Sequence, residues 1–304
     1  MNLTKAPKKN NKKGKLSRIK RAERRTVNLF LLPSALGMLV FYILPFFVII
    51  YYSVINNPVK KNFVFLDNFV SLLKNSAFKQ ASANTLRFSA VAVPLAVILS
   101  LVLALALMRN IPWKSQLRTV FLSPMMVPVA SVILIWQVIF HYNGTANEIL
   151  SIFGAAPIDW LKSDFSQIVV ILLFLWKNLG YNMILFMSAL GAIPKDVLEV
   201  AELEGASSLQ IFFKIKLRYL SSTMIFVTLM SVINSFKIFR EVYLLTGSYP
   251  YDSLYMLQHF MNNVFKSLEY QKLSAAAIIM ALAVSIIIAV LLFVDSRIEE
   301  DIEE

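Results

Sequence analysis

Polar and aromatic side chains interrupt two of the apolar stretches of this sequence, "LFLWKNLGYNM" and "INSFKIFREVY". In chain order the candidates for chemistry are Trp176, Asn178, Tyr181, Asn182, Asn234 and Lys237. Amide groups exchange hydrogen bonds with hydroxyl groups, and aromatic rings cover apolar surface while presenting polar edges. These residues therefore predict a path for a neutral polyhydroxylated solute such as a sugar.

Two structural explanations of the same residues remain open. Polar groups in membrane helices also hydrogen-bond across helices and hold a bundle together. The cations Lys177, Lys237 and Arg240 can extend to the interface instead of facing a path. Lys237 and Glu241 are four residues apart, so the sequence also predicts an ion pair on one helix face.

Catalytic constellations are not apparent in the sequence. There is no G-x-x-x-x-G-K-[ST] phosphate loop and no His-Glu-x-x-His zinc motif. The chain has no cysteine, and its two histidines, His141 and His259, are far apart in sequence. We therefore expect no metal site, no cofactor and no enzyme activity in this chain itself.

The elements that must position the polar residues are long apolar segments. Hydrophobic residues make up 58% of the 304 residues, and a bilayer span needs about 20 mostly apolar residues. The runs are continuous rather than alternating, which favours helices over a barrel. The sequence predicts an all-α polytopic membrane protein with six spans at 28–53, 84–108, 118–140, 167–190, 219–245 and 273–294.

Basic residues predict the orientation of these spans. The segment 1–27 contains eleven Lys or Arg and one acidic residue, Glu23. The loop 109–118 has three Lys or Arg in ten residues, whereas the longer loop 141–166 has only Lys162. Because basic loops stay in the cytoplasm, both termini are expected inside. We interpret 1–27 as a basic cytoplasmic tail, not a nucleic-acid-binding segment, and 295–304 as an acidic cytoplasmic tail.

A charged loop, 191–218, separates the fourth and fifth spans on the predicted cytoplasmic side. Pro194 suits a helix start, and Asp196 lies in the first turn, where a helix favours negative charge. Gly205 can end that helix, and Ser207 or Ser208 can begin the next. The loop is thus expected to form two short helices joined by a turn, either as a plain connection or as a docking element.

The sequence of this loop resembles a family motif. The stretch "EVAELEGASSLQIFFKIKL" carries Glu199, Ala201, Gly205, Ile215 and Leu217 at the spacing of the EAA loop of ABC importer permeases. The segments "FLSPMMVPVASVILIWQVIF" and "FREVYLLTGSYP" are similar to the sugar-import branch of that family. Val200 and Arg218 depart from the family pattern, and Gly247-Ser248-Tyr249-Pro250 stands where it has Gly-Gly-Pro.

The resemblance implies a type I ABC importer permease with residues 28–294 as its membrane domain and a cytoplasmic coupling helix. It implies that Glu199, Ala201, Glu202 and Gly205 couple the chain to ATPase subunits. The other implied partners are a second related permease, an extracytoplasmic solute-binding protein, membrane lipid and a sugar substrate. Two alternatives stay open: an ion-coupled secondary transporter, and an ABC importer of glycerol phosphate.

Overall fold

The computed structural model describes residues 27–109 and 111–303, and this part of the chain is helical. An isolated bridge between Ile55 and Phe63 is the one extended pairing in these ranges. The helices are α1 Val27–Ser53, α2 Asp67–Lys74, α3 Ser76–Met108, α4 Lys114–Met126, α5 Val129–Ile139, α6 Thr145–Ile152, α7 Ser166–Gly191, α8 Lys195–Leu203, α9 208–219, α10 Ser221–Phe236, α11 Phe239–Thr246, α12 Leu257–Lys266 and α13 Tyr270–Glu303. The predicted basic tail, apart from Val27, lies outside the described residues.

Five elements of the described chain are long and apolar enough to cross a membrane, and a bent pair brings the number to six. α1, α3 and α7 contain the predicted first, second and fourth spans. Ser221–Thr246, which joins α10 and α11, covers the predicted fifth span except for its first two residues, and α13 contains the sixth. The predicted all-α membrane fold is confirmed. α13 also continues through 295–303, so the backbone of the predicted acidic tail is helical up to Glu303.

The third predicted span is broken. α4 and α5 meet at an angle of 104°, with Val127 and Pro128 extended between them (ψ 131° at both). A residue before proline is pushed out of the helical region by the proline ring. Pro128 also lacks the N–H that would continue the helix. The bend therefore follows from the sequence of the predicted third span, 118–140, which has Pro124 and Pro128 inside it.

Helix α7 lies at the centre of the packing. Its Phe174 meets Phe88 of α3 edge to face, with ring centroids 5.6 Å apart. On another side it approaches α4 so closely that a Cβ on Gly180 would lie 1.8 Å from the Phe121 carbonyl oxygen. Only glycine fits at this crossing.

Side chains of α3 fix the segment before α12. The Asn84 amide donates to the carbonyls of Asp252 and Tyr255, at 2.6 and 3.1 Å. The Thr85 hydroxyl accepts the Leu257 N–H at 2.8 Å. Because an unpaired N–H at a helix start would be costly to bury, this contact anchors the start of α12 on α3. It also sets the position of Gln258, which faces the cavity described next.

Candidate functional site

A cavity of about 720 Å³ lies between the spans, at the bend of the third span and the break in the fifth. The walls come from the middle of α7, from α10 and α11, and from Met125 and Gln258. Four of the six predicted path residues line it: Asn178, Tyr181, Asn234 and Lys237.

The other two predicted path residues lie apart from this cavity. Trp176 lines an adjoining cavity of about 70 Å³ and stacks obliquely on Trp136 with ring centroids 5.7 Å apart. Asn182 is buried and donates to the Ser231 hydroxyl of α10 at 3.0 Å. It therefore forms the interhelical contact that the sequence left open as an alternative.

Asn178 and Asn234 contact each other at the cavity wall. The Asn234 amide donates to Asn178 Oδ1 at 2.9 Å, and the Asn178 amide donates to the Phe174 carbonyl at 2.8 Å. The first bond joins α7 to α10, the second lies within α7, and together they fix the orientation of both amides. Each amide nevertheless keeps hydrogen-bonding capacity toward the cavity.

An ion pair joins α7 to α11 in the same wall. Lys177 Nζ donates to Glu241 Oε1, and Glu241 is 3% exposed. The expected pairing of Glu241 with Lys237 was wrong. Lys237 follows the last residue of α10, and the helix is interrupted before α11 begins at Phe239, so the two residues do not share one continuous helix face.

His259 of α12 packs behind the cavity wall. Its ring is fully buried and meets the Phe239 ring edge to face, with centroids 4.7 Å apart. Nδ1 accepts the Met256 N–H at 3.4 Å, so the ring proton belongs on Nε2. Burial lowers the pKa of His259 to about 4, which keeps the ring neutral at physiological pH.

The loop 191–218 has the two-helix form that its sequence predicts. α8 ends in a Schellman turn, in which the Gly205 N–H donates to the Glu202 carbonyl and the Ala206 N–H to the Ala201 carbonyl, both at 3.0 Å. Gly205 adopts φ +81°. Ser207 then caps α9 with a capping box that includes Gln210.

The second helix of the loop continues into the fifth span. The backbone stays right-handed helical at Leu217 and Leu220, with Leu220 N–H bonded to Lys216 and Met224 N–H to Leu220. Arg218 has a backbone N–H and no ring, so it allows the helix to continue where a proline would interrupt it. α9 and α10 therefore form a nearly unbroken helical path from the loop to the cavity wall.

Large apolar side chains project from the loop beside its charged residues. Leu203 is 87% exposed, Leu209 71% and Phe213 63%, and Val200 is also exposed. Glu199 and Glu202 are exposed, and Ala201 is half-buried. Sequence reasoning emphasised the acids and the small residue and missed this apolar surface. The signal was present, because Leu203, Leu209 and Phe213 flank the turn that the sequence predicted.

Several cavity residues were also missed as a group. Met125, Met230, Phe239 and Gln258 line the cavity together with Lys177, Arg240 and Glu241. The last three had been noted as polar residues of the spans without a place in the path. Gln258 and Met125 gave no sequence signal for a place in the cavity, because their positions depend on the anchored α12 and on the α4–α5 bend.

Within the described ranges, no group of three or more His, Asp or Glu is placed to hold a metal ion.

Comparison with known proteins supports the resemblance to ABC importer permeases that the sequence indicates. The family model "Binding-protein-dependent transport system inner membrane component" matches residues 92–303. The trehalose/maltose transport system permease protein MalF of Thermococcus litoralis is 33% identical over 77% of this chain and 81% of its own length. The multiple sugar-binding transport system permease protein MsmF of Streptococcus mutans is 28% identical over 85% and 91%.

A solved structure shares the fold. A chain of a bacterial ABC transporter involved in the import of alginate superposes with a TM-score of 0.80 at 19% identity, covering 92% of this chain and 99% of the other. These relatives are permease subunits, consistent with the prediction that this chain is not itself an enzyme. By its family match, its identity to curated permeases and its fold, the chain belongs to the binding-protein-dependent transport system inner membrane components.

Proposed function

We propose that this chain is the membrane-spanning permease subunit of an ATP-driven importer that carries a sugar or oligosaccharide into the cytoplasm. The observation that carries the proposal is the cavity of about 720 Å³ between the spans, lined by amides, aromatic rings and charged groups. This volume falls within the roughly 300–1,000 Å³ typical of small-molecule sites. Relatives named for trehalose, maltose and multiple sugars favour a saccharide as the solute.

The loop 191–218 is proposed as the contact for a cytoplasmic ATPase. Exposed Leu203, Leu209 and Phe213 supply an apolar surface of the kind that marks protein interfaces. Glu199 and Glu202 supply charges at its rim, while Ala201 permits close approach. The Schellman turn at Gly205 and the Ser207 cap hold the two helices in one geometry. Because this geometry is fixed, a displacement of one helix by the ATPase would also move the other.

Coupling then follows from the continuity of α9 with α10. The helical path from 208 to 236 is roughly 40 Å long at 1.5 Å per residue. One end lies at the proposed ATPase contact and the other carries Asn234 at the cavity. A displacement of the loop by the ATPase would therefore move a wall of the cavity, which is what alternating access requires.

The remaining partners follow from this function. The permease would pair with a second related permease and with two ATPase subunits, and an extracytoplasmic solute-binding protein would deliver the solute. Both termini and the loop 191–218 would face the cytoplasm, as the loop charges predict.

Cysteine cross-linking tests the loop assignment directly. Because the chain has no native cysteine, Glu202→Cys gives a single reactive site, and we expect it to cross-link to the partner ATPase in the assembled transporter. Ser71→Cys, on the exposed face of α2 outside the predicted membrane, is the matched control and should give no such product. A complete single-cysteine series across 199–208 that cross-links to no cytoplasmic subunit would reject the assignment.

An ion-coupled transporter is the second candidate. Such a mechanism would use Glu241 as its proton- or sodium-binding carboxylate, because the residue is buried beside the cavity. The ion pair with Lys177 speaks against this use, because the carboxylate already has a cationic partner.

A further inference from the structure

The charges around the cavity are not balanced. Its lining includes three cationic side chains, Lys177, Lys237 and Arg240, and one carboxylate, Glu241. Charged groups within a membrane domain are costly and are usually paired with each other or with a ligand. The cavity wall therefore carries an excess of two positive charges.

The single carboxylate is already occupied. Glu241 is buried and forms its ion pair with Lys177 across α7 and α11. Within the ranges that the structure describes, no ion pair or hydrogen bond engages the head groups of Lys237 or Arg240. Both side chains are exposed, and both line the cavity, so they are available to a solute.

The hydrogen-bond donors that remain open at the cavity are mostly cationic. Asn178 and Asn234 have each used an amide donor, on the Phe174 carbonyl and on Asn178 Oδ1. Lys237 offers three donors, and Arg240 offers five in a planar fork that fits a carboxylate, sulfonate or phosphate group. A neutral sugar would leave these charges uncompensated inside the membrane.

Lys237 follows the last residue of α10, and Arg240 lies in the first turn of α11. They are three residues apart and flank Ile238, where the fifth span changes helix. An anion held by both would bridge the end of one helix and the start of the next. The anion would therefore contact the fifth span, which is the element that we propose is displaced when the ATPase moves the loop 191–218.

We propose that the solute is an anionic saccharide, and that Lys237 and Arg240 bind its acidic group. This inference rests on the proposed import function and specifies the class of solute. The contrasting possibility is that carboxylates of the second permease neutralise the two cations and the solute is neutral.

The first experiment is a ligand screen on the cognate solute-binding protein. Its thermal stability is measured with matched trisaccharides, one built of uronate units and one of the neutral sugars with the same linkages, and with sulfonated and phosphorylated sugars. Stabilisation by acidic sugars and not by the neutral sugar supports the inference. The comparison of uronate, sulfonated and phosphorylated sugars then identifies the acidic group. Stabilisation by the neutral sugar overturns it but keeps the import function, whereas no response to any saccharide contradicts both.

The second experiment measures uptake of the acidic sugar from that screen by the complete transporter in proteoliposomes. We expect Lys237→Gln and Arg240→Gln each to reduce uptake about tenfold, the size of one charge-assisted hydrogen bond. Lys79→Gln, which removes an exposed cation from α3 away from the cavity, should leave uptake unchanged.

The charge-preserving double variant Lys237→Arg/Arg240→Lys separates binding from folding, because it should keep most of the uptake. Glutamine variants that assemble normally and transport the acidic sugar at the wild-type rate would overturn the assignment of these two residues.

Discussion

At the scale of single residues, the ion pair between Lys177 and Glu241 joins two spans beside the proposed path. The two partners are unequal: Glu241 has 4% of its side chain exposed and Lys177 has 41%. Removing one partner of a buried pair leaves an uncompensated charge, and the cost depends on how well water can reach that charge. The pair is therefore expected to respond asymmetrically to substitution.

Lys177→Met should destabilise the permease by about 3–5 kcal/mol, because it leaves the Glu241 carboxylate buried and unpaired. Glu241→Gln should cost only about 1 kcal/mol, because Lys177 can reach water through the cavity. The thermal midpoint of the purified transporter in detergent measures both. The double variant Lys177→Met/Glu241→Gln should recover most of the loss, and equal losses in the two single variants would contradict this account.

Gly180 permits the close crossing of α7 and α4. Gly180→Ala would place a methyl group against the backbone of Phe121, and overpacking of this kind costs about 1–3 kcal/mol. The matched control is Gly191→Ala in the same helix, where a Cβ would meet nothing within 4 Å. We expect Gly180→Ala to lower the thermal midpoint and Gly191→Ala to leave it unchanged. A tolerated Gly180→Ala would mean that the two helices are farther apart than described.

At the scale of elements, the turn between α8 and α9 decides how the loop presents its exposed face. Its glycine is in the left-handed region, which costs other residues roughly 1–2 kcal/mol and β-branched residues more. A change here should disturb the loop while the spans remain folded, because a Cβ at Gly205 would meet no atom within 4 Å and the strain is confined to the turn.

Gly205→Val should abolish most solute uptake with little change in membrane insertion, and Gly205→Asn should be milder because asparagine tolerates this conformation. Gly154→Val imposes the same strain (φ +73°) after α6, on the other side of the predicted membrane. Uptake in proteoliposomes should survive the Gly154 change. If Gly154→Val and Gly205→Val lost uptake equally, the special role of the loop turn would be refuted.

The predictability of the elements depends on how local their causes are. The Gly205 turn, the Ser207 cap and the apolar spans were predicted because each follows from neighbouring residues. The bend at Val127–Pro128 has a local cause too, yet its angle of 104° depends on packing. The partner of Glu241 was mispredicted, since Lys177 lies 64 residues away and only tertiary structure brings it close.

At the scale of the whole molecule, we propose that the exposed loop and the cavity act together, the first as the ATPase contact and the second as the solute path. The loop lies on the predicted cytoplasmic side, and the cavity lies where α7, α10 and α11 meet. α9 and α10 connect them as a nearly continuous helix, and in the proposed function this helix would carry a movement of the loop to the cavity wall. Sequence motifs predicted both ends, whereas the connection became evident only from the helical backbone through Leu220.

Uptake of radiolabelled solute by the complete transporter in proteoliposomes is the measurement that tests the import function most directly. With the solute-binding protein outside and ATP inside, the account predicts uptake that ceases when the partner ATPase carries a substitution that prevents hydrolysis. Uptake that persists with the disabled ATPase, driven by a proton or sodium gradient alone, would contradict the account and favour an ion-coupled transporter.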